Sequence, residues 1–330
     1  MKSMKEIHKC WRWDRCLCMM MLALACTGCN TDSEEFIPEG GGVPGGGNQP
    51  DETGVYLEVM ASKKGSLLTS ATWSDYNTMG LFVTAGTLDK PYLDDKKVYS
   101  NVKATMKAGV WFLDPAEVLL TDQKAVIFAY SPYMREVNPY EVPVETDTRT
   151  LYMYGTHLKP QVSVYNEENL ATLELQHAMA VVDINVRKTS SFKGKAILNE
   201  ISIEGINDSI RLPVKGTLDI MTGHIRTSGF GSYSFKNLKQ VLPVEFSDSC
   251  AYRMTAIPRD NQEKEVKICI DVNGNRMQLP LSADQDWVAG VLNTYNLIFD
   301  GTDLIVESVT IKPYKDVEVK DGELNEREGK

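Results

Sequence analysis

Apolar and polar residues alternate with a period of two along most of the chain beyond residue 54, the spacing of strands half-buried in a sheet. V-Y-L-E-V-M-A (55–61) sets Val55, Leu57, Val59 and Ala61 on one face, whereas A-V-I-F-A-Y (125–130) is a short continuous apolar run. The second pattern predicts a strand covered on both faces. A-M-A-V-V-D-I-N-V (178–186) groups Val182, Ile184 and Val186, and comparable runs recur at 197–205, 217–220, 252–257, 266–272, 295–299 and 304–311. Turn residues separate them: Asn207-Asp208-Ser209, Thr222-Gly223, Asn273-Gly274-Asn275 and Asp300-Gly301. V-N-G-N-R-M-Q-L (272–279) predicts a hairpin, because Asn-Gly supplies the positive φ angles of a type I′ turn. Runs 250–257 and 266–272 read as a second hairpin about the loop Pro258–Glu265. Helical periodicity is confined to short stretches near Glu167–Leu170 and Ala283–Val288. Many short strands separated by turns predict an all-β fold of β-sandwiches.

The first 54 residues lack this alternation. Lys2, Lys5, Lys9, Arg12 and Arg15 precede the apolar run CLCMMMLALAC (16–26), then Thr27-Gly28-Cys29. A run of about eleven apolar residues is shorter than the roughly 20 that cross a bilayer, which predicts a cleaved export signal over residues 1–28. The small residues before Cys29 resemble the lipobox of bacterial lipoproteins, so Cys29 is the expected acylated residue, with Cys26 a weaker competitor. Neither cysteine has the leucine that lipoboxes prefer three positions earlier. Residues 29–54 are an acidic patch, resembling the surface-export signal of Bacteroidetes lipoproteins, followed by GGGVPGGGNQPDETG. That composition buries too little apolar area to offset its ordering entropy, and it predicts a flexible leash.

The alternating part divides by length into two domains of about 130 residues, each large enough for its own core. The boundary is placed in the polar stretch Asn166–Leu170, giving sandwiches over 55–170 and 171–314 and a charged tail over 315–330. A net charge of −10 is a poor footprint for nucleic acid. Seven cysteines reduce to Cys250 and Cys269 once the signal and Cys29 are set aside. In the expected second hairpin these two lie several residues out of register, too far apart to bridge, so both are expected as buried thiols.

Candidate chemistry is sparse. His157, His177 and His224 are scattered, without the spacing of metal ligands, and the pairs Asp94-Asp95, Glu167-Glu168 and Asp284–Asp286 are adjacent or one residue apart in sequence. Neighbouring strand residues face opposite sides, so these pairs do not suit glycosidase chemistry. No nucleophile, phosphate-binding or metalloprotease motif occurs, and neither catalysis nor a cofactor is expected. Tyr130 and Tyr133, with Tyr140, Tyr152 and Tyr154, are candidates for a sugar-stacking face, against the commoner reading of aromatics at strand spacing as core or rim. Asp208-Ser209-Ile210 resembles a short O-glycosylation motif of Bacteroidetes secreted proteins, which makes Ser209 a candidate acceptor.

Taken in order, several landmarks resemble the fimbrillin family of Bacteroidetes, the Mfa-like and FimA-like subunits of type V pili. They are V-Y-L-E-V-M-A after the leash, T-W-S-D-Y-N-T-M-G-L-F-V (72–83) with Trp73, Trp111, V-I-F-A-Y-S-P-Y (126–133), L-Q-H-A-M-A-V-V-D-I-N-V (175–186), Ile203-Glu204-Gly205, and G-V-L-N-T-Y-N-L-I-F…V-T-I-K-P-Y (290–314). The closing element departs from the family by ending on Tyr314 where tryptophan is usual, and by continuing into KDVEVKDGELNEREGK. The resemblance implies two tandem transthyretin-like β-sandwich domains, transport as a lipoprotein to the outer membrane, and surface exposure in a fimbrium. It further implies proteolytic removal of the first strand and its replacement by a strand of a neighbouring subunit, with Lys63 and Lys64 as the candidate cleavage site. The family's best-known site uses arginine, which is absent between Arg15 and Arg135. His177 is implied to be structural, at the domain junction.

The expected function is therefore a fimbrial subunit, or an accessory or tip protein, assembling with other fimbrial subunits by strand exchange and anchored through lipid. The charged tail favours the accessory or tip role, and host or microbial surface ligands are candidate partners. The alternative is a surface glycan-binding lipoprotein built from the same tandem sandwiches.

Overall fold

The computed structural model describes residues 54–63, 77–93, 99–146, 150–156, 163–246, 251–260, 265–282 and 285–314. The alternating segments become twenty-one strands, and no α-helix occurs among the described residues.

The N-terminal half forms a seven-stranded sheet in the order β2 (Glu58–Lys63), β10 (Leu170–His177), β9 (Met153–Thr156), β7 (Val126–Ser131), β3 (Thr78–Thr84), β4 (Val102–Lys107) and β5 (Val110–Asp114). Every pairing is antiparallel except β2 with β10. The outer strands β2 and β5 come into contact, so the sheet curls over a core that includes Leu57, Ala61, Leu81, Trp111, Ile127 and Leu173. A short ribbon of β1 (Val55–Tyr56) and β6 (Leu119–Leu120) lies beside it. As its run of apolar residues predicts, β7 is covered on both faces.

In the C-terminal half, one sheet has the order β17 (Ala251–Ala256), β11 (Ala180–Lys188), β20 (Val291–Phe299) and β21 (Leu304–Pro313). The other runs β15 (Tyr233–Phe235), β12 (Ile197–Gly205), β18 (Val266–Val272) and β19 (Asn275–Pro280), with β16 (Gln240–Val241) also on β12. Val182, Ile184 and Val186 from the first sheet meet Leu198, Ile201, Ile268 and Ile270 from the second in one buried core. Removing each such aliphatic side chain from water contributes about 1.5–3 kcal/mol. The Asn-Gly hairpin forms between β18 and β19, with Val272 opposite Asn275 and φ of 55° at Asn273 and 84° at Gly274.

A third core was not visible in the periodicity. β8 (Val142–Glu145), from the N-terminal half, pairs with β13 (Leu212–Leu218), which pairs in turn with β14 (Ile225–Gly231). Phe82, Phe128, Tyr130, Val144, Met179 and Leu218 pack together beneath this sheet. The two halves are thus interlocked rather than joined by one crossing of the chain.

Three local expectations are corrected. Strand Leu170–His177, expected at the start of the second sandwich, belongs to the seven-stranded sheet, and the switch between cores falls between Leu175 and Ala180. The stretch Glu167–Leu170 runs from a turn closed by reciprocal Tyr165 and Glu168 backbone bonds of 3.0 Å into the start of β10; Trp287 forms a bridge to Arg259, residues 285–288 are not helical, and 283–284 lie outside the described residues. Finally, β17 and β18 do not form a hairpin: the chain crosses from one sheet to the opposite one between them. Cys269 is a buried free thiol, and Cys250 lies outside the described residues.

Candidate functional site: the two terminal edge strands

The first described strands form an arm held by few partners. Among the described residues, β1 pairs only with β6, and β2 only with β10, through a parallel register running from Glu58 opposite Leu170 to Lys63 opposite Leu175. Leu57 donates its N–H to the Val118 carbonyl at 2.9 Å, and Glu58 donates to the Asn169 carbonyl at 2.9 Å. The Asn169 amide donates to the Tyr56 carbonyl at 2.7 Å. Leu57 is buried and Ala61 is 0% exposed, so the arm contributes part of the first core rather than lying on top of it. Ser62, also fully buried, turns its hydroxyl to the Leu173 carbonyl at 3.4 Å. Taking residues 55–63 away would leave an apolar furrow beside an unpaired edge of β10, the geometry that accepts an added strand.

The last strand is an edge too. Among the described residues, β21 pairs only with β20, antiparallel, from Phe299 opposite Leu304 to Val291 opposite Pro313, with an irregularity beside Asn296. Only Leu304 and Val309 pack against the second core; Ile305 and Ile311 are each 48% exposed. Arg187 holds the middle through Glu307, with Nη2 and Oε1 2.7 Å apart, and Asn296 donates to the Ser308 hydroxyl at 2.9 Å. Glu307 raises the Arg187 pKa above its ordinary value.

Just beyond β21, Tyr314 donates its N–H to the Gly290 carbonyl at 2.8 Å. Its ring meets the His177 ring edge-on at 5.1 Å and lies 5.6 Å from the Arg253 guanidinium carbon. Arg253 is bound in turn to Asp183, which raises its pKa above the ordinary value. His177 therefore sits at the junction of the halves, where it was expected, and contacts the end of the C-terminal strand.

The remaining candidates are dispersed. Lys63 ends β2; Lys64 and Cys29 lie outside the described residues. Ser209 is exposed on a turn where its N–H is accepted by the Asn207 side chain at 2.9 Å. Tyr130 is 1% exposed, its hydroxyl 2.9 Å from both the Asn101 side-chain oxygen and the Met134 carbonyl, and burial pushes its pKa up to about 12. It offers no ring face to a sugar. Tyr133 is half-buried with the Lys103 amine 5.6 Å from its ring.

The most reactive-looking cluster is Cys269, Glu204, Ser202 and Arg276. Burial, then the neighbouring Glu204, pushes the thiol pKa up, the opposite of what a nucleophile needs. Burial of Glu204 opposes its ionisation, but hydrogen bonds from Ser202 and Arg276 prevail and hold the carboxyl below its ordinary range. No group of three or more His, Cys, Asp or Glu side chains suited to a metal occurs among the described residues.

With two edge strands, each paired to one strand among the described residues, in a β protein of three cores, comparison with known proteins becomes informative. The sequence pattern of the fimbrillin-like family matches residues 68–313. The chain belongs to that family. A solved structure from Bacteroides ovatus, of a protein assigned to cell adhesion, superposes with a TM-score of 0.60 at 13% identity, covering 80% of this chain and 99% of that one. Another from Bacteroides uniformis, also assigned to cell adhesion, gives 0.56 at 13% identity, covering 79% and 99%. These likenesses establish a shared fold. Comparison with curated proteins finds no match. The matched family region begins within residues 64–76 and so takes in neither β1 nor β2, whose alternation was nevertheless readable. The pairing of β2 with a strand more than a hundred residues downstream had no sequence signal.

Proposed function

We propose that this fimbrillin-like chain is a surface fimbrial subunit that assembles by strand addition. Acylation at Cys29 anchors the precursor in the outer membrane, and cutting at Lys63 or Lys64 frees the arm 55–63. A strand from another fimbrial subunit then occupies its place. The supporting observation is that this arm is a terminal edge with a single strand partner for each of its strands and with buried apolar residues facing the core. Its removal interrupts no other strand pairing, so the rest of the fold survives while a strand-shaped vacancy opens. In this reading the protein performs no catalysis, and Ser209 is a glycan acceptor on an exposed turn.

The test combines two measurements. N-terminal sequencing of surface-extracted protein is expected to show a blocked Cys29 before processing and a start at residue 64 or 65 after it. Trypsin-treated protein is expected to form SDS-stable ladders that are absent in the Lys63→Ala/Lys64→Ala variant. Intact processing at neither place, with ladders unaffected by the double substitution, overturns the reading.

A further inference from the structure

The two terminal strands share one structural element. Leu170–Leu175 of β10 form the ladder with β2, and the same strand continues to Gln176 and His177, opposite Tyr154 and Met153 of β9. His177 holds the Tyr314 ring. A single residue, Gln176, separates the last position paired with the N-terminal arm, Leu175, from the residue that clamps the end of β21. The backbone repeats the connection: Tyr314 is bonded to Gly290, whose N–H is donated to the carbonyl of Met179 at 2.9 Å, two residues past His177.

We propose that β10 couples the two ends of the molecule, so that departure of β2 loosens the Tyr314 clamp and favours release of β21. This inference rests on the strand-addition reading for its biological meaning, but the coupling is measurable without any assembly.

The physical case has three parts. While β2 is in place, β10 is ordered along residues 170–175 by a six-residue register. Once that ladder is gone, the described pairing of β10 reduces to its last two residues with β9, and His177 lies in that short remnant. Meanwhile β21 is held by its ladder with β20 and by the Arg187 and Asn296 side chains but buries little of its own: most of its side chains are exposed, so a contact at its end bears on whether that end frays. Because linkage is reciprocal, loosening Tyr314 must weaken β2 by the same factor. A subunit with this wiring keeps its C-terminal strand docked until its own groove has been vacated.

The experiment is native-state amide hydrogen exchange on the full chain, resolved to peptides covering 58–63, 304–314 and, as an internal reference, 266–272. In Ala61→Asp, which places a charge in the buried arm, exchange over 304–314 is expected to rise about tenfold. The reference peptide should keep its protection. In Tyr314→Ala, the rise is expected over 58–63. In the double variant, the Ala61→Asp effect on 304–314 should disappear. If Ala61→Asp does not fold, the Tyr314→Ala arm decides the matter alone, since that residue lies at the rim. Faster exchange confined to the substituted end in Tyr314→Ala, with 58–63 within twofold of the parent, overturns the coupling. Ladder formation with uncoupled ends would sink this inference only, whereas coupled ends without ladders would sink the assembly reading only.

Discussion

Arg253 grips both carboxylate oxygens of Asp183 at 2.8 Å each, from the directly opposite position on the neighbouring strand. The pair is asymmetric, because the Arg253 side chain is 44% exposed and that of Asp183 only 10%. Arg253 can return to water when its partner is removed, whereas Asp183 cannot. Arg253→Met is therefore expected to cost about 2 kcal/mol by leaving a buried carboxylate unpaired. Asp183→Asn is expected to cost about 1 kcal/mol or less. Urea unfolding of both variants checks the ordering; equal losses would contradict it.

Alkaline stability should depend on two tyrosines. Burial pushes both Tyr130 and Tyr233 up to about 12, against an ordinary value of 10.0. Each folded-state pKa is raised, so the folded state keeps the phenol protonated where the unfolded chain has already released it. Stability from these groups is complete below pH 10 and is lost as the pH climbs towards 12. Tyr130→Phe and Tyr233→Phe should each flatten that decline while lowering stability at pH 7, as followed by circular dichroism between pH 8 and 12.

Gly155 marks a close approach between strands. A Cβ added there would meet the Glu174 carbonyl oxygen at 2.3 Å, and the obstacle is backbone. Gly155→Ala is expected to push β9 away from β10 and cost about 2 kcal/mol. Thermal unfolding measures the loss, and a neutral substitution would argue against this strand packing.

Cys269 should be chemically silent while the protein is folded. Its thiol is buried, and its surroundings favour the protonated form. Peptide mapping after iodoacetamide treatment at pH 8 is expected to find residue 269 unmodified in the native protein and fully modified in urea. Rapid native labelling would show that the 266–272 strand opens readily.

Local features were readable and distant ones were not. The Asn273-Gly274 hairpin follows from two residues whose backbone preference allows little else. The doubly covered strand 126–131 follows from an apolar run with no polar face to offer. By contrast, β17 and β18 are apolar neighbours in sequence that enter opposite sheets. The sequence between them holds Pro258, Asp260 and Asn261, but its length permits a crossing as easily as a hairpin. Tyr130 stood open between a sugar-stacking face and the commoner core position, and packing against Phe82 with bonding to Asn101 decides for the core. For the terminal edges, alternation revealed extended chain over 55–61, but nothing local announces its division at Leu57 or that Leu170–Leu175 is the partner of its second part. The Tyr314 clamp was similarly hidden, although the unusual tyrosine at the close of the last strand drew notice.

The parallel ladder between β2 and β10 has one more consequence for a subunit tethered by its amino end. If the proposed anchor at Cys29 holds, severing the backbone after Lys63 would not by itself set the protein adrift, since the cut arm would remain paired to β10. Each molecule would stay moored by those hydrogen bonds and by the buried Leu57 and Ala61 until a neighbour's strand displaced the arm, so that joining the fibre and casting off from the membrane would become a single event.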